Sequence, residues 1–200
     1  MALMLPRFYP IFDDLPWLER ALPLGVRLVQ LRLKDLPPDT LRDRIGRGLA
    51  LVRQHGATLV VNDHWQIAID EGAEWVHLGQ EDLDEADLPA IRRAGLRLGI
   101  STHDHAELDR SLALSPDYVA LGPVYPTILK KMRWHQQGLD RVTEWKRLVV
   151  RTPLVAIGGM SVERATGAFG AGADIVSAVT DITLNPDPDA RMREWLEVTA

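Results

Sequence analysis

The amino-acid sequence predicts an α/β fold, a (β/α)8 TIM barrel that forms a single domain over residues 1–200. Eight short apolar runs alternate with segments of helical period, and eight strands that are each followed by a helix define this barrel. The runs are almost wholly apolar, as expected for parallel strands that helices cover from outside. Polar residues follow the runs directly, where a barrel gathers its active-site groups. An open doubly wound sheet shows the same alternation, so periodicity leaves that architecture open.

The strands and helices are predicted from these runs and from the residues that flank them. The predicted strands are residues 8–12, 27–32, 58–62, 75–78, 96–101, 118–121, 154–157 and 174–179. The predicted helices are residues 17–22, 38–54, 65–71, 88–94, 104–114, 139–149, 162–171 and 188–198. Asp104 has Glu107 three residues later, and Ser161 precedes Val162, so Asp104 and Ser161 are predicted to cap helix N-termini.

The composition describes an ordinary globular chain and excludes several classes of site. The 200 residues are 46% hydrophobic and 26% charged, with a net charge of -5. Because such a chain lacks a basic face that displaces phosphate counterions, we expect no nucleic-acid partner. The absence of cysteine excludes disulfides, thiolate zinc sites and cysteine nucleophiles. With no apolar run of about 18 residues and no signal-peptide layout, we expect a cytoplasmic protein without a membrane partner.

Two cations and an amide mark the end of the second predicted strand. The alternation of a strand directs Gln30, Arg32 and Lys34 to one side, and Leu31 and Leu33 to the other. Together the three polar side chains can hold a multiply charged anion. The alternative is a solvated strand edge that carries basic residues, because charges often lie at strand ends.

Two carboxylates follow the third and fourth predicted strands. Asp63 comes after Asn62, and Asp82 lies at the end of the next strand unit. Two carboxylates repel an anionic ligand unless a divalent cation lies between them, and Mg²⁺ fits this role because it prefers one or two carboxylates, phosphate oxygens and water. The alternative for either aspartate is a simple helix N-cap, and Asp63 precedes a predicted helix.

The fifth predicted strand ends in Ser101, Thr102 and His103, whose hydroxyl and imidazole groups can bind phosphate or assist proton transfer. Serine as a helix cap is the alternative, since neither a catalytic triad order nor a zinc motif accompanies these residues. His77 lies inside the fourth strand and is predicted to be a hydrogen-bonded core histidine.

The last three predicted strands are followed by loops suited to phosphate. Residues 122–131 form a loop longer than a simple turn that ends in two lysines, which is typical of a lid. The glycine pair 158–159 lets backbone N–H groups approach an anion at the next helix. Barrels often build a phosphate site from the loops after strands seven and eight, and the eighth strand ends near 179–181.

Seen together, these motifs resemble the thiamine-phosphate synthase family, also called thiamine-phosphate pyrophosphorylase. The resemblance runs from about residue 9 to residue 180, and its strength lies in joint order and spacing. The motifs are Gln30-Leu31-Arg32-x-Lys34, Asn62-Asp63, His77-Leu78-Gly79-Gln80-Glu81-Asp82, Gly99-Ile100-Ser101-Thr102-His103, Gly122-Pro-x-x-Pro126-Thr127, Lys130 and Ala156-Ile157-Gly158-Gly159.

The resemblance implies a transferase that joins a pyrimidine methyl diphosphate to a thiazole phosphate and releases pyrophosphate. In such a family the carbon–oxygen bond breaks first, with Mg²⁺ on the diphosphate. The implied catalytic residues are Ser101, Lys130 and Arg32. The implied ligands are Gln30, Arg32, Lys34, Asn62 and Lys130 for the pyrimidine diphosphate, Asp63 and Asp82 for Mg²⁺, Ser101 for the departing pyrophosphate, and Thr127, Gly159, Val179 and Thr180 for the thiazole phosphate.

One position departs from the family pattern. Where the family has a second threonine, this chain has Leu129, so a hydroxyl is missing and only the backbone N–H can donate. The exact thiazole substrate therefore stays open, as does formation of a homo-oligomer. A thiazole tautomerase on the same fold and a non-catalytic phosphate-ligand sensor are the alternatives. The retained charges disfavour both; they are Arg32, Lys34, Asp63 and Asp82, with Asn62 beside them.

Overall fold

Eight parallel strands close into a barrel in the computed structural model, which describes residues 5–127 and 135–200. The strands pair in chain order, and β1 pairs with both β2 and β8, so no sheet edge is left open. The strands are β1 (Phe8–Phe12), β2 (Leu28–Leu31), β3 (Thr58–Asn62), β4 (Trp75–Leu78), β5 (Arg97–Thr102), β6 (Tyr118–Leu121), β7 (Leu154–Ile157) and β8 (Ile175–Ala178). The predicted barrel is confirmed, and closure excludes the open doubly wound sheet.

Helices follow the strands along the described chain. They are α1 (Leu15–Leu24), α2 (Pro38–Gln54), α3 (Trp65–Asp70), α4 (Asp82–Glu85), α5 (Leu88–Arg93), α6 (His105–Ala113), α7 (Gly138–Val149), α8 (Val162–Gly170), α9 (Thr180–Thr183) and α10 (Pro188–Val198). The sequence did not predict α4 and α9, because four residues make barely one turn and show no helical period. Within residues 5–127 and 135–200, none of these helices has the length and apolar character to cross a membrane.

Side-chain caps account for some of the described helix ends but not for others. α1 is longer than predicted because Asp14 accepts a hydrogen bond from the Leu15 N–H at 2.7 Å, while Gly25 ends the helix at φ 112°. Asp104 accepts from the Glu107 N–H at 2.8 Å, as predicted. Ser161 occupies the N-cap position of α8, but its side chain makes no capping bond, so that expected contribution is absent.

Two apolar cores hold the fold together. The larger core lies between the barrel and its helices, where Val29 and Leu31 of β2 are buried. The smaller core fills the barrel with three aromatic rings, those of Tyr9, Trp75 and Tyr118, and with aliphatic side chains. Because strand residues alternate between the two cores, the inward polar residues near the strand ends reach the mouth of the barrel.

Candidate active site

The predicted polar residues of the first strands lie together at one side of the barrel mouth. We call this side the charged half, which comprises Gln30, Arg32, Lys34, Asn62, Asp63, Asp82 and Ser101 at the ends of β2 to β5. Because parallel strands in a closed barrel all end at the same rim, residues far apart in sequence meet there. Their roles in binding remain predictions, but their shared location follows from the fold.

Three ionised side chains meet in the charged half. The Lys34 ammonium forms an ion pair with Asp63. Burial, followed by the nearby charge of Asp63, raises the pKa of the Asp82 carboxyl, although its contact with the Gly79 N–H at 3.0 Å acts in the opposite direction. Two carboxylates therefore lie close enough to disfavour each other's charge, and a divalent cation between them would relieve this repulsion.

The capping alternative for Asp63 is wrong. The N-cap of α3 is His64, and no side chain caps this helix. Asp63 instead adopts a left-handed backbone with φ 62°, a conformation that costs a non-glycine residue about 1–2 kcal/mol. Retention of this strain at a carboxylate that faces another carboxylate fits a ligand-binding role better than a structural role.

The carboxylate pair fits Mg²⁺. Among residues 5–127 and 135–200, no group of three or more His, Asp or Glu side chains is arranged to enclose a metal ion. Mg²⁺ does not need such a cage, since it is commonly held by one or two carboxylates with substrate phosphates and water. Asp63 and Asp82 would supply those carboxylates.

Two donors in the charged half are available to an anion. Asn62 is buried, and its Nδ2 has no hydrogen-bond partner among the described residues. A buried amide that is left unpaired costs about 1–3 kcal/mol, so a ligand that accepts from Nδ2 would recover this energy. Arg32 is exposed and forms no ion pair with any residue in 5–127 or 135–200.

Ser101 is held by a buried chain of hydrogen bonds inside the barrel. Gln30 Nε2 donates to the Tyr9 hydroxyl at 2.8 Å, and the hydroxyls of Tyr9 and Tyr118 lie 2.9 Å apart. The Tyr118 hydroxyl lies 2.8 Å from His77 Nδ1, and His77 Nε2 lies 2.8 Å from Ser101 Oγ. His77 is thus the buried, hydrogen-bonded histidine that the sequence predicts, and it also contacts a predicted catalytic residue.

Burial sets the protonation state of this chain. Desolvation lowers the pKa of His77 to about 4, so its imidazole is neutral at pH 7. Burial likewise raises the pKa of the Tyr9 hydroxyl above its ordinary value. All members of the chain are therefore uncharged at pH 7.

The other hydroxyl of the Ser101-Thr102-His103 motif does not reach the mouth. Thr102 is fully buried, donates to the Ala120 carbonyl at 2.9 Å and accepts from Trp145 Nε1 at 2.9 Å. The Thr102 hydroxyl is therefore not available to phosphate, because Ser101 and Thr102 are consecutive residues of β5 and their side chains point to opposite faces of the barrel wall. Gln80, which belongs to a sequence motif but was given no role there, holds this strand end by donating to the Ser101 carbonyl at 2.7 Å.

The other side of the mouth contains a cavity of about 310 Å³, and we call this side the cavity half. Its lining residues are Pro126, Thr127, Gly159, Met160, Ser161, Arg164, Thr180, Asp181 and Leu184. Three predicted thiazole-phosphate ligands, Thr127, Gly159 and Thr180, therefore line one space. Val179 does not line it, although this residue is the N-cap of α9 directly before Thr180. The cavity has the size of a small-ligand site.

The glycine pair brings two loops together. A Cβ on Gly159 would lie 2.3 Å from the Pro126 carbonyl oxygen, and a Cβ on Gly158 would lie 2.6 Å from Pro123. The Tyr125 N–H donates to the Gly158 carbonyl at 3.0 Å, so the loops after β6 and β7 pair through their backbones. The sequence predicts close approach at these glycines, and in the structure the approaching group is the neighbouring loop.

Sequence reasoning missed Arg164. It lies in the first turn of α8, lines the cavity, donates to the Gly159 carbonyl and stacks with its guanidinium 4.5 Å from the Tyr125 ring. Its position in the sequence could have indicated this role. It follows the glycine pair closely, and a side chain in the first turn of the next helix can face the glycine loop. Predicted site residue Lys130 and the unusual Leu129 lie outside the described residues.

Comparison with known proteins agrees with this geometry. The family model described as thiamine monophosphate synthase matches residues 8–182. A thiamine-phosphate synthase of Rhizobium etli is 58% identical over 193 residues, covering 96% of this chain and 95% of that protein. One of Serratia proteamaculans is 46% identical over 190 residues, covering 95% and 90%. The solved thiamine phosphate pyrophosphorylase of Pyrococcus furiosus has a TM-score of 0.85 at 26% identity, covering 96% of this chain and 95% of that chain.

These matches decide between the alternatives that the sequence left open. The relatives are named as synthases, and they give no support to a thiazole tautomerase or a phosphate-ligand sensor. Nearly the whole chain takes part in each match, so both halves of the barrel mouth are included. The chain therefore belongs to the thiamine monophosphate synthase family, as its motifs predict, and is an enzyme of the transferase class.

Proposed function

We propose that this enzyme joins a pyrimidine methyl diphosphate to a thiazole phosphate, forming thiamine phosphate and releasing pyrophosphate. The observation that carries the proposal is the division of one barrel mouth into a charged half and a cavity half. A two-substrate transfer needs a place for a highly charged leaving group beside a place for the acceptor. Both substrates are small molecules, and we infer that the enzyme acts in the cytoplasm.

The charged half is suited to the departure of pyrophosphate. Loss of the carbon–oxygen bond leaves a pyrimidine-methyl cation and a pyrophosphate anion, and preorganised donors speed such a step by stabilising the developing negative charge. Arg32 and Lys34 supply positive charge, while Gln30, Asn62 and Ser101 supply hydrogen-bond donors. Lys34 pairs with Asp63, so its ammonium lies beside a proposed Mg²⁺ ligand.

Asp63 and Asp82 are the residues that would hold Mg²⁺. When bound, Mg²⁺ supplies electrostatic stabilisation of the diphosphate oxygens. The two carboxylates would otherwise repel the substrate. Burial is the main cause of the raised pKa of Asp82, and the charge of Asp63 adds to it, so this second contribution supports the placement of the two carboxylates side by side.

The cavity half is suited to the thiazole phosphate. Thr127 and Gly159 lie on the loops after β6 and β7, and Thr180 begins α9; all three line one space. Thr127 and Thr180 offer hydroxyls, and the backbone before α8 offers N–H groups, which together match the oxygens of a phosphate monoester. Arg164 adds a positive charge to the lining of this cavity. We assign Lys130 to the diphosphate, as the family motif implies.

The test is a reconstituted reaction of the purified protein with both substrates and Mg²⁺. We expect thiamine phosphate and pyrophosphate to form in equal amounts, with neither product when one substrate is omitted. Pyrophosphate release that does not require the thiazole phosphate, or a thiazole isomer formed without the pyrimidine diphosphate, would contradict the proposed transfer.

A further inference from the structure

The buried hydrogen-bond chain that ends at Ser101 has a direction, which follows from counting hydrogens. The Gln30 amide nitrogen can only donate hydrogen bonds, so the Tyr9 oxygen accepts from it. With each hydroxyl using its hydrogen inside the chain, the Tyr9 hydrogen goes to Tyr118, and the Tyr118 hydrogen goes to His77 Nδ1. A neutral imidazole that accepts at Nδ1 carries its hydrogen on Nε2. His77 therefore donates to Ser101 Oγ, and the Ser101 hydrogen is left to point away from the chain.

We propose that Tyr9, Tyr118 and His77 are positioning residues, which fix the Ser101 hydroxyl as a donor toward the departing pyrophosphate. This inference rests on the proposed function and names residues that the family motifs leave without a role in it. If Ser101 instead donated to His77, its oxygen lone pairs would face the anion. In the proposed direction of the chain, Ser101 does not donate to His77, so its hydroxyl need not rotate when the negative charge develops.

The barrel interior is built to hold these hydroxyls. A Cβ on Gly99 would lie 2.0 Å from Tyr118 Cζ, so β5 lacks a side chain where the Tyr118 ring must pass. The rings of His77 and Tyr118 stack at 5.6 Å, and those of Tyr9 and Tyr118 meet edge to face at 5.9 Å. Aliphatic side chains would fill this space without any need for paired hydroxyls. A fully paired network is instead a way to hold one polar group in one orientation.

The first test is the tautomer of His77 in the ligand-free wild-type protein, measured by ¹⁵N NMR of labelled histidine. We expect the hydrogen on Nε2. In Gln30→Glu the carboxylate can only accept from Tyr9, which reverses every bond and moves the hydrogen to Nδ1. A wild-type Nδ1–H tautomer, or an unchanged tautomer in Gln30→Glu, would overturn the inference.

The second test compares Tyr118, which contacts His77 directly, with Tyr9, which is one hydrogen bond further along the chain. Tyr118→Phe removes the donor to His77 Nδ1, so we expect mixed tautomers and a kcat about tenfold lower, with the KM for the thiazole phosphate unchanged. Tyr9→Phe leaves the bond from Tyr118 to His77 in place, so it should keep the Nε2–H tautomer and lose less activity. A wild-type kcat in Tyr118→Phe, or equal losses of kcat in both variants with an unchanged tautomer, would overturn the inference. It would mean that these tyrosines serve only to pack the barrel interior.

A further pair of variants, at His77, tests the inference even if Tyr118→Phe does not fold. His77→Gln keeps an N–H near the position of Nε2, whereas His77→Leu does not. We expect the glutamine variant to retain at least about fivefold more kcat than the leucine variant at equal thermal stability. Equal kcat in the two would overturn the inference. If wild-type protein formed no thiamine phosphate, the proposed function would fail, while the tautomer would still decide the direction of the chain.

Discussion

The charged half and the cavity half of the barrel mouth are suited to anions in different ways. In the charged half, charged side chains and unpaired hydrogen-bond donors would bind the anion. Lys34, for example, pairs with Asp63 beside Asp82. In the cavity half, the close packing of two loop backbones shapes the cavity. A Cβ on Gly159 would lie only 2.3 Å from the Pro126 carbonyl oxygen, so this packing needs a glycine. Substitutions in the charged half should therefore act on the chemical step, and those in the cavity half on binding of the second substrate.

The largest effect is expected at the carboxylate pair. Asp63→Asn removes one proposed Mg²⁺ ligand, and kcat should fall by about 10²–10³, as when one preorganised electrostatic group is lost from an active site. The Mg²⁺ concentration for half-maximal rate should rise, while the KM for the thiazole phosphate stays unchanged.

The matched control is Asp109→Asn, because Asp109 is an exposed carboxylate on α6. It should keep wild-type kinetics. Full activity of Asp63→Asn, or of the wild-type enzyme in excess chelator, would end the assignment of Asp63 to Mg²⁺ and with it the contrast between the two halves.

The next effect is expected at the loop contact of the cavity half. Gly159 has φ 62°, so Gly159→Ala adds both backbone strain and a clash with the Pro126 carbonyl. We expect a loss of about 3 kcal/mol in the free energy of unfolding and a marked rise in thiazole-phosphate KM. Urea unfolding and steady-state kinetics measure the two quantities.

Gly170→Ala in α8 is the control for this change. A Cβ there meets nothing within 4 Å, and alanine favours a helix over glycine by about 0.5–1 kcal/mol. This variant should be as stable as the wild type or more so. Similar destabilisation by both alanines would mean that the close approach of the two loops is not what Gly159 provides.

A third effect concerns pH and His77, the buried histidine that contacts Ser101 of the charged half. The folded chain lowers the pKa of His77 from 6.5 to about 4, so the unfolded chain binds more protons between these values. Stability should therefore fall as pH drops, with a contribution of about 2 kcal/mol lost between pH 7 and pH 5. His77→Gln should flatten this part of the profile of unfolding free energy against pH. An equally steep profile in the variant would assign the acid sensitivity to other groups.

The sequence predicts the charged half better than the cavity half, and the reason is physical. Arg32 and Asp63 directly follow strands and Asp82 lies four residues beyond the end of β4, so strand pairing brings all three to one rim. The cavity depends on how two loops meet, which period and composition do not encode. Arg164 was missed because a cation in the first turn of a helix is unremarkable until the loop it contacts is known.

Of the polar interior, the sequence predicts only that His77 is a hydrogen-bonded core histidine; the chain of partners that joins it to Gln30 could not be predicted. Tyr9, Tyr118 and Gln30 occupy ordinary strand positions, and only the closed barrel brings their side chains together across about 20 to more than 100 residues of chain. Gly99 is the one local sign, since a glycine inside a strand indicates that another group approaches closely.

The smallest effect is expected at Arg164, which tests whether the cavity half also uses charge. Its guanidinium lines the cavity that would receive the thiazole phosphate, yet it is held by the Gly159 carbonyl and the Tyr125 ring. Arg164→Met should raise the KM for the thiazole phosphate by up to about tenfold, as expected for a partly solvated contact to a phosphate, without changing kcat. Arg47→Met, at an exposed arginine of α2, should change neither. A fall in kcat with unchanged KM would instead place Arg164 with the charged half, because only contacts made in the transition state act in that way.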